Sequence, residues 1–597
     1  MDKSQLETMR HSCAHLVAAA VQALYPEAKF GIGPVVENGF YYDIEFPENI
    51  TEDDLVKIED KAKELQQGGI KFVRQEILID EAIKFFADKK QDYKVLLLSD
   101  LKEKGTTKMS AEEVKDLGEN VESVSLYTTG DFTDLCRGPH VDSAKEIGVF
   151  KLTKLAGAYW RGDANNKQLQ RIYGVCFATQ SELDEYLNML VEAERRDHRK
   201  IGAEQNLFFF DDRVGKGLVM WLPNGTIIRN EIENLAIEYE NRAGFVRVRT
   251  PHLAKEEMYI TSGHLPYYKD SMYPAMVMDD GTYYLKAMNC PHHHTIFNHN
   301  LHSYRDLPLR IAEYGECYRN ELSGTLAGLL RVRCLAMNDA HMYCRKDQIK
   351  DEFKGVLEMI IKYFEIFGLE NFWFRLSKWS PDHLDKYVNQ PENWQYSEQV
   401  IREVLQEMDV KFIEADNEAA FYGPKVDVQF KSIIGREETM STVQLDFVAK
   451  ERFGLKYIDE SGKENNEVFV IHRAPLSTHE RFMAFLIEHY AGIWPIWLAP
   501  VQILLAPVSA KHAEGAKQLM LELKEQGIRV EIDSADETVG NKVRKAVAQK
   551  IPYIVVVGDK ELSGEEWMIR VRGQENQEKM SKEDFVKKVT EEIKTRK

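Results

Sequence analysis

Between Phe245 and Ala474 the chain carries seven β-rich segments: FVRVRTP, TYYLKA, LRIAEYGECYRNE, LLRVRCLAMNDAHMYC, KVDVQF, TVQLDF and EVFVIHRA. Long connections separate them, and few of those read as βαβ crossovers. The spacing therefore predicts antiparallel pairing. At 597 residues the chain is too long for one core, and three or four domains are expected. Residues up to Ala178 mix signals: HSCAHLVAAAVQALYP has helical spacing and stops at Pro26, and GFYYDIEF reads as a strand. Residues 181–204 read as one charged linker helix. From about Ala499 the pattern alternates strand and helix: VQILLAPVS, AEGAKQLMLELKEQG, IRVEIDS, TVGNKVRKAVAQK, IPYIVVVG, WMIRVRG and SKEDFVKKVTEEIKTRK. That alternation implies a compact α/β module.

Hydrophobic residues at 44% and charged residues at 29% are ordinary for a soluble globular protein. No apolar run approaches the roughly 20 residues of a membrane span. The polar start MDKSQLETMRHSCAHL lacks the pattern of a secretory signal, so no membrane partner is expected and the cytoplasm is the default location. Seven cysteines (Cys13, Cys136, Cys176, Cys290, Cys317, Cys334 and Cys344) are odd in number and scattered. They do not suggest a disulfide framework; thiols in such a chain are buried, catalytic or metal-bound. The net charge of −19 argues against nonspecific nucleic-acid binding. RRDHRK (Arg195 to Lys200) and NKVRK (Asn541 to Lys545) can still meet phosphate, and each reads equally well as a solvated helix face.

Two clusters carry chemistry. In the first, His11 and His15 stand at i and i+4 on one helical face, and Cys136 and His140 have the same spacing around a Gly-Pro turn. Such a set suits a zinc site or a polar pocket that holds water; satisfied polar residues are the more ordinary reading. In the second, Cys290, His341 and His472 come from three separated segments. Spacing cannot identify separated ligands, and His292 and His294 compete with them. Strand alternation also puts Arg331, Arg333, Leu335, Met337, Asp339 and His341 on one face, near Arg319 and Glu321 of YRNE. Arginines there suit an ATP and amino-acid pocket, and surface salt bridging is the ordinary alternative.

Taken together these segments resemble the class II aminoacyl-tRNA synthetases. The segment ending at Pro251, YRNE followed by RVR, and HRAPLSTHERF are similar to that class's three signature motifs. HSCAH, CRGPH, AGAYWRGD, KAMNCP, YGPK, TVQLDF and WLAPVQ are similar to the threonyl-tRNA synthetase family in particular, and the likeness runs essentially from end to end. The resemblance implies an α+β multidomain chain. Its parts would be an N-terminal α/β editing domain (1–178), a linker helix (179–204), a class II catalytic domain on an antiparallel sheet (205–498) and a C-terminal α/β anticodon-binding domain (499–597). Many members begin with a small ubiquitin-like domain; the sequence given starts directly at the editing domain.

The implied activity is ATP-dependent formation of threonyl-adenylate and transfer of threonine to tRNA(Thr). By the resemblance, Cys290, His341 and His472 hold one Zn2+ per subunit, which threonine chelates through its amino nitrogen and hydroxyl. Asp339, Tyr422, Met288 and Gln444 contact threonine. Arg319 holds the α-phosphate and carboxylate, Arg481 contacts ATP, and Lys425 lines the same pocket. Glu321, Arg331, Leu335, Thr442, Gln444 and Thr478 complete the site for ATP with Mg2+. Valine lacks the hydroxyl and is rejected strongly, by about 10⁴-fold or more. Serine lacks only a methyl, worth about 1–3 kcal/mol, so hydrolytic editing of seryl-tRNA(Thr) is required. His11, His15, Lys94, Asp134, Cys136 and His140 match the editing residues, in a role that positions water rather than metal. Asp536, Glu537, Glu561 and Arg570 match anticodon-reading positions, and a homodimer forms around the segment ending at Pro251.

Four positions depart from the family pattern. Leu335 stands where an aromatic usually packs on adenine, Met337 where glutamine is usual, Ser477 where glycine is common, and Asp536 where an asparagine often reads the anticodon. Leu335 and Met337 leave one alternative of another class, a non-catalytic synthetase-like regulator that binds threonine or RNA. The retained Arg319 and Arg481 count against it.

Overall fold

A computed structural model describes residues 1–104, 122–163, 165–384, 386–432, 435, 437–564 and 566–596. The chain divides into two compact units, Met1–Leu190 and Val191–Lys597.

The first unit begins with the helix Lys3–Leu24, longer than HSCAHLVAAAVQALYP alone predicted. Asp2 caps it, accepting from the Gln5 N–H while the Gln5 side chain accepts from the Asp2 N–H. Leu16, Val17, Ala20 and Val21 are buried along it with Phe40, Tyr42 and Ile44 of the strand Gly39–Glu45. That strand pairs antiparallel with Gln168–Phe177, which pairs with Val149–Tyr159. A second sheet joins Phe72–Leu78, Ser123–Thr129 and Phe132–Leu135. The predicted single linker helix is broken into Gln180–Arg195 and His198–Glu204. Asp197 between them caps the second, accepting from the Arg199 N–H.

In the second unit an eight-stranded sheet runs in the order Val246–Arg247, Leu309–Tyr318, Cys334–Cys344, Phe469–Ala474, Glu437–Asp446, Lys425–Lys431, Phe372–Ser377, Phe412–Ala415. The six central strands are antiparallel, as expected, but both outermost pairs are parallel. The pair Phe372–Ser377 and Phe412–Ala415 is joined through the helix Pro391–Glu407, a crossover that sequence spacing did not single out. TYYLKA lies outside this sheet, as Gly281–Leu285 of a separate three-stranded one. The helices Pro223–Arg242, Ile349–Ile366 and His479–Tyr490 bury Leu235, Leu357, Phe364, Phe482 and Leu486 in one core with Val426, Val428 and Leu445 of the sheet. The C-terminal module is a five-stranded sheet, Val530–Ile532, Ile503–Pro507, Tyr553–Val557, Trp567–Val571, Glu578–Met580; the first three strands are parallel and the rest antiparallel. Its helices Ala513–Glu525, Val539–Ala548 and Lys582–Thr595 fall where the alternation placed them.

Candidate active sites

Register builds the central site. His341 stands opposite His472 on the neighbouring strand, His472 opposite Gln444, and Gln444 opposite Lys425. Directly opposed residues of antiparallel strands project from the same face, so four strands deliver one row of side chains. Two residues along the same strands, Asp339 and Thr442 extend that face. Cys290 reaches the row from another element, the first turn of the helix Cys290–His299. Its donor atom and those of His341 and His472 all lie within 4.8 Å of one another. The His341 and His472 rings stand 4.5 Å apart at 81°.

Each imidazole has one nitrogen already committed. His472 Nε2 donates to Asp446 Oδ2 (3.1 Å), while Asp446 Oδ1 accepts from the Val448 and Ala449 N–H groups. His341 Nδ1 lies 2.8 Å from His293 Nδ1, and His293 Nε2 lies 3.3 Å from Glu313 Oε2. Burial pushes the Cys290 thiol well up, with Asp339 and Asp446 adding to it, and burial pushes His341 well down. A thiol beside two imidazoles is a donor set for a cation that takes up the thiolate charge. The competitors fall out. Among the described residues neither His292 nor His294 joins the group of donor atoms within 4.8 Å of one another, and His294 Nδ1 pairs with the Tyr343 hydroxyl at 2.9 Å.

A cavity of about 410 Å³ opens over this row. Met288, Cys290, Arg319, Asp339, His341, Tyr422, Lys425, Thr442, Gln444, His472, Thr478 and Arg481 line it, as do Met337 and Ser477. Asn289 Nδ2 donates to Asp339 Oδ2 (3.0 Å), and the Tyr422 hydroxyl donates to Gln444 Oε1. Buried Asp427 pairs with Lys425 (2.9 Å) and accepts from Thr442 Oγ1 (3.0 Å), which fixes two lining residues. Among the described residues the guanidinium groups of Arg319 and Arg481 make no side-chain hydrogen bond or ion pair. Two unpaired, half-buried cations on one cavity wall favour an anion between them.

Four predicted residues are placed differently. Arg331 and Arg333 precede the strand Cys334–Cys344, so strand alternation does not apply to them. Arg331 forms a salt bridge with Glu321 (2.8 Å), and Arg333 Nε donates to the Glu321 carbonyl (2.9 Å). Neither Arg331 nor Glu321 lines the cavity, and Leu335 packs with Cys317 and Val332 instead. Asn289, Asp427, His293 and Glu313 were missed. Only Asp427 left a signal, as the alternate residue after Lys425 in KVDVQF.

The N-terminal cluster closes as its spacing suggested. Cys136 Sγ lies 3.3 Å from His11 Nε2 and 3.3 Å from His140 Nε2. Ser12 donates its hydroxyl proton to the Thr8 carbonyl, so His140 Nδ1 is the donor in its 3.1 Å contact with Ser12, and His140 Nε2 remains an acceptor. His15 Nε2 is 3.6 Å from Asp134, which also pairs with Lys94 and accepts from the Tyr42 hydroxyl. Burial, then the neighbouring imidazoles, press His140 down to about 2 and His15 well down; burial raises Cys136 to about 12. All three are uncharged near neutrality. A cavity of about 400 Å³ lies over His11, His15, Lys94, Asp134 and Cys136. The four His and Cys donor atoms also lie within 4.8 Å of one another, so geometry alone suits water or a metal.

The four residues of the C-terminal module are not joined by any hydrogen bond or ion pair among the described residues. Asp536 is exposed, and Glu537 accepts from Asn541 and Lys545. Glu561 accepts from the Gly558 N–H (2.9 Å), and Arg570 lies on the strand Trp567–Val571.

Comparison with known proteins adds three family matches. Residues 275–490 match the tRNA synthetase class II core domain (G, H, P, S and T), residues 502–592 the anticodon binding domain, and residues 124–173 the threonyl and alanyl tRNA synthetase second additional domain. The threonine–tRNA ligase of Geobacillus sp. (strain WCH70) is 47% identical over 589 residues, 98% of this chain and 89% of that protein. Threonine–tRNA ligase 1 of Bacillus subtilis (strain 168) is 48% identical over 590 residues, 99% of this chain and 89% of that protein. Among solved structures, the RNA binding domain of threonyl-tRNA synthetase from Cryptosporidium parvum Iowa II superposes with a TM-score of 0.62 at 32% identity, covering 66% of this chain and 98% of its own.

Proposed function

Because this chain belongs to the threonine–tRNA ligase family, we propose that its central cavity activates threonine on a zinc ion and that its N-terminal cavity clears mischarged serine. The chain is an ATP-dependent class II synthetase with an anticodon-binding domain and an editing-type domain, which act on threonine, ATP and tRNA. We assign residues 1–178 to editing, 179–204 to the linker, 205–498 to catalysis and 499–597 to the anticodon.

The donor set fits zinc: one thiol and two imidazoles, each ring with a single uncommitted nitrogen. Cys290, His341 and His472 would hold it. Bound there, zinc supplies a Lewis-acid site for an amino nitrogen and a hydroxyl, which separates threonine from valine by about 10⁴-fold or more. Asp339, Tyr422, Met288 and Gln444, on the same cavity, orient the amino acid.

The observation that carries the reading is the pairing, in one cavity, of the Cys-His-His row with Arg319 and Arg481. These two cations are placed to bind carboxylate and phosphate together as the carboxylate oxygen attacks the α-phosphorus and pyrophosphate leaves. Thr442, Thr478 and the Asp427-anchored Lys425 complete the wall that receives ATP, with Mg2+ as its counterion. Arg331 and Glu321 act as a pair at the edge of that wall. Zinc-loaded protein is expected to show threonine-dependent ATP–pyrophosphate exchange; no exchange overturns the reading.

In the N-terminal cavity, uncharged His11, His15 and His140 hold water beside the buried Lys94–Asp134 pair. Water attacks the seryl ester carbonyl, the bond to the ribose oxygen breaks, and a proton passes from the water to that oxygen. The family match at 124–173, which spans Asp134, Cys136 and His140, supports this reading. Asp536, Glu537, Glu561 and Arg570 read bases of an unstacked anticodon loop. A homodimer around residues 246–251 is supported by exposed apolar side chains there and nearby, Val246, Leu253 and Val277. The cytoplasm, where tRNA is charged, is the location we propose.

A further inference from the structure

We infer that His293 and Glu313 are positioning residues for the metal centre: a fixed chain of hydrogen bonds sets the tautomer of His341 so that its Nε2 is the free ligand atom. The inference rests on the zinc reading of Cys290, His341 and His472 and deepens it.

The donors around Glu313 are fixed by the groups themselves. Glu313 Oε1 accepts from the Thr250 N–H (2.7 Å), and Oε2 accepts from the Thr250 hydroxyl (2.8 Å). Fully buried Lys286 donates to that same hydroxyl (2.8 Å) and lies 3.8 Å from Glu313. All neighbours of Glu313 are donors, so it is an acceptor throughout. His293 Nε2, 3.3 Å away, must therefore carry the proton and donate. A His341 ring that ligates through Nε2 keeps its proton on Nδ1. That proton faces His293 Nδ1, 2.8 Å away, which accepts it. His341 Nε2 is then left with a lone pair, the condition for ligating a metal.

The placement leaves little freedom. His293 is fully buried on the helix Cys290–His299, three residues after Cys290, and its ring stands at 88° to that of His341. The helix that carries one ligand thus also aims a second. Glu313 sits on the strand Leu309–Tyr318, one strand over from His341, and is tied to Thr250 at the end of the segment that follows Val246–Arg247. The other imidazole has its own carboxylate, Asp446 on Nε2, so opposite nitrogens of His341 and His472 are left free. Partners of this kind orient a ligating ring, and their loss costs about 10–100-fold in metal affinity.

Three substitutions in the full chain test it, with zinc affinity read by chelator competition and geometry by the visible bands of the cobalt form. His293→Leu ends the chain at His341, and a fall in zinc affinity of about 10-fold or more is expected. Glu313→Gln keeps the shape but adds an amide N–H, which must face either His293 or the Thr250 N–H; a similar fall and altered cobalt bands are expected. His293→Gln can accept from His341 and donate to Glu313, and is expected to stay within about threefold of wild type. A purely structural role for His293 would not make leucine and glutamine differ this way. Wild-type affinity in Glu313→Gln or in folded His293→Leu overturns the inference, and should His293→Leu not fold, Glu313→Gln still decides. If wild type itself binds no more zinc than Cys290→Ser, the zinc reading fails instead.

Discussion

His341 and His472 oppose each other on adjacent antiparallel strands, with ring centroids 4.5 Å apart and planes at 81°. Gln444 and Lys425 continue the same row. The positions we propose for metal, amino acid and nucleotide are thus spaced by strand separation, and a change that slips one strand moves all of them.

Arg319→Ala should reduce threonine-dependent ATP–pyrophosphate exchange by about 10²–10³-fold, the range seen when one group that stabilises developing charge is removed. Its guanidinium has no partner among the described residues, so the melting temperature should stay within about 2 °C. Exchange assays and thermal melts of the variant check both.

Cys136→Ala or His15→Ala should let seryl-tRNA accumulate while threonylation continues. Ser12→Ala frees the His140 Nδ1 that Ser12 holds, and should slow serine clearance by a smaller factor. Deacylation of preformed seryl-tRNA measures all three, and unchanged clearance in Cys136→Ala and His15→Ala would remove the hydrolytic assignment.

Glu240→Ala should destabilise the second unit by about 3–5 kcal/mol, because it strands a buried charge. Glu240 is fully buried and binds Arg473 Nη2 (2.8 Å) and Arg247 Nη1 (2.8 Å), and Arg473 directly follows His472. Denaturant unfolding gives the loss directly.

Acid should weaken the first unit through His140. Its folded pKa is about 2 against an ordinary 6.5, so the unfolded state binds the proton first. Above pH 6.5 the group contributes nothing to the pH dependence; as pH falls below 6.5 stability declines, down toward pH 2. His140→Gln should therefore show a shallower decline between pH 6.5 and 5 in melts that follow this unit.

Local patterns were legible and long-range partners were not. The N-terminal helix, GFYYDIEF and the whole C-terminal alternation depend on neighbours a few residues away, and each formed where its pattern placed it. Which strands pair is set by contacts hundreds of residues apart, so TYYLKA was not separable from the main sheet, and the parallel outer pairs were invisible. His11 and His15 were readable as a face because one helix carries both. Cys290, His341 and His472 share no element, and only the resemblance joined them. Leu335 kept the parity of Met337 and Asp339 yet packs on Cys317 and Val332, because parity gives a face and not what covers it.

A metal assay on the purified wild-type chain beside Cys290→Ser tests the central claim most directly. One zinc per wild-type chain and none in Cys290→Ser is the result expected. Equal zinc in both would contradict it, and would move the metal away from His341 and His472, to a set such as His11, His15, Cys136 and His140.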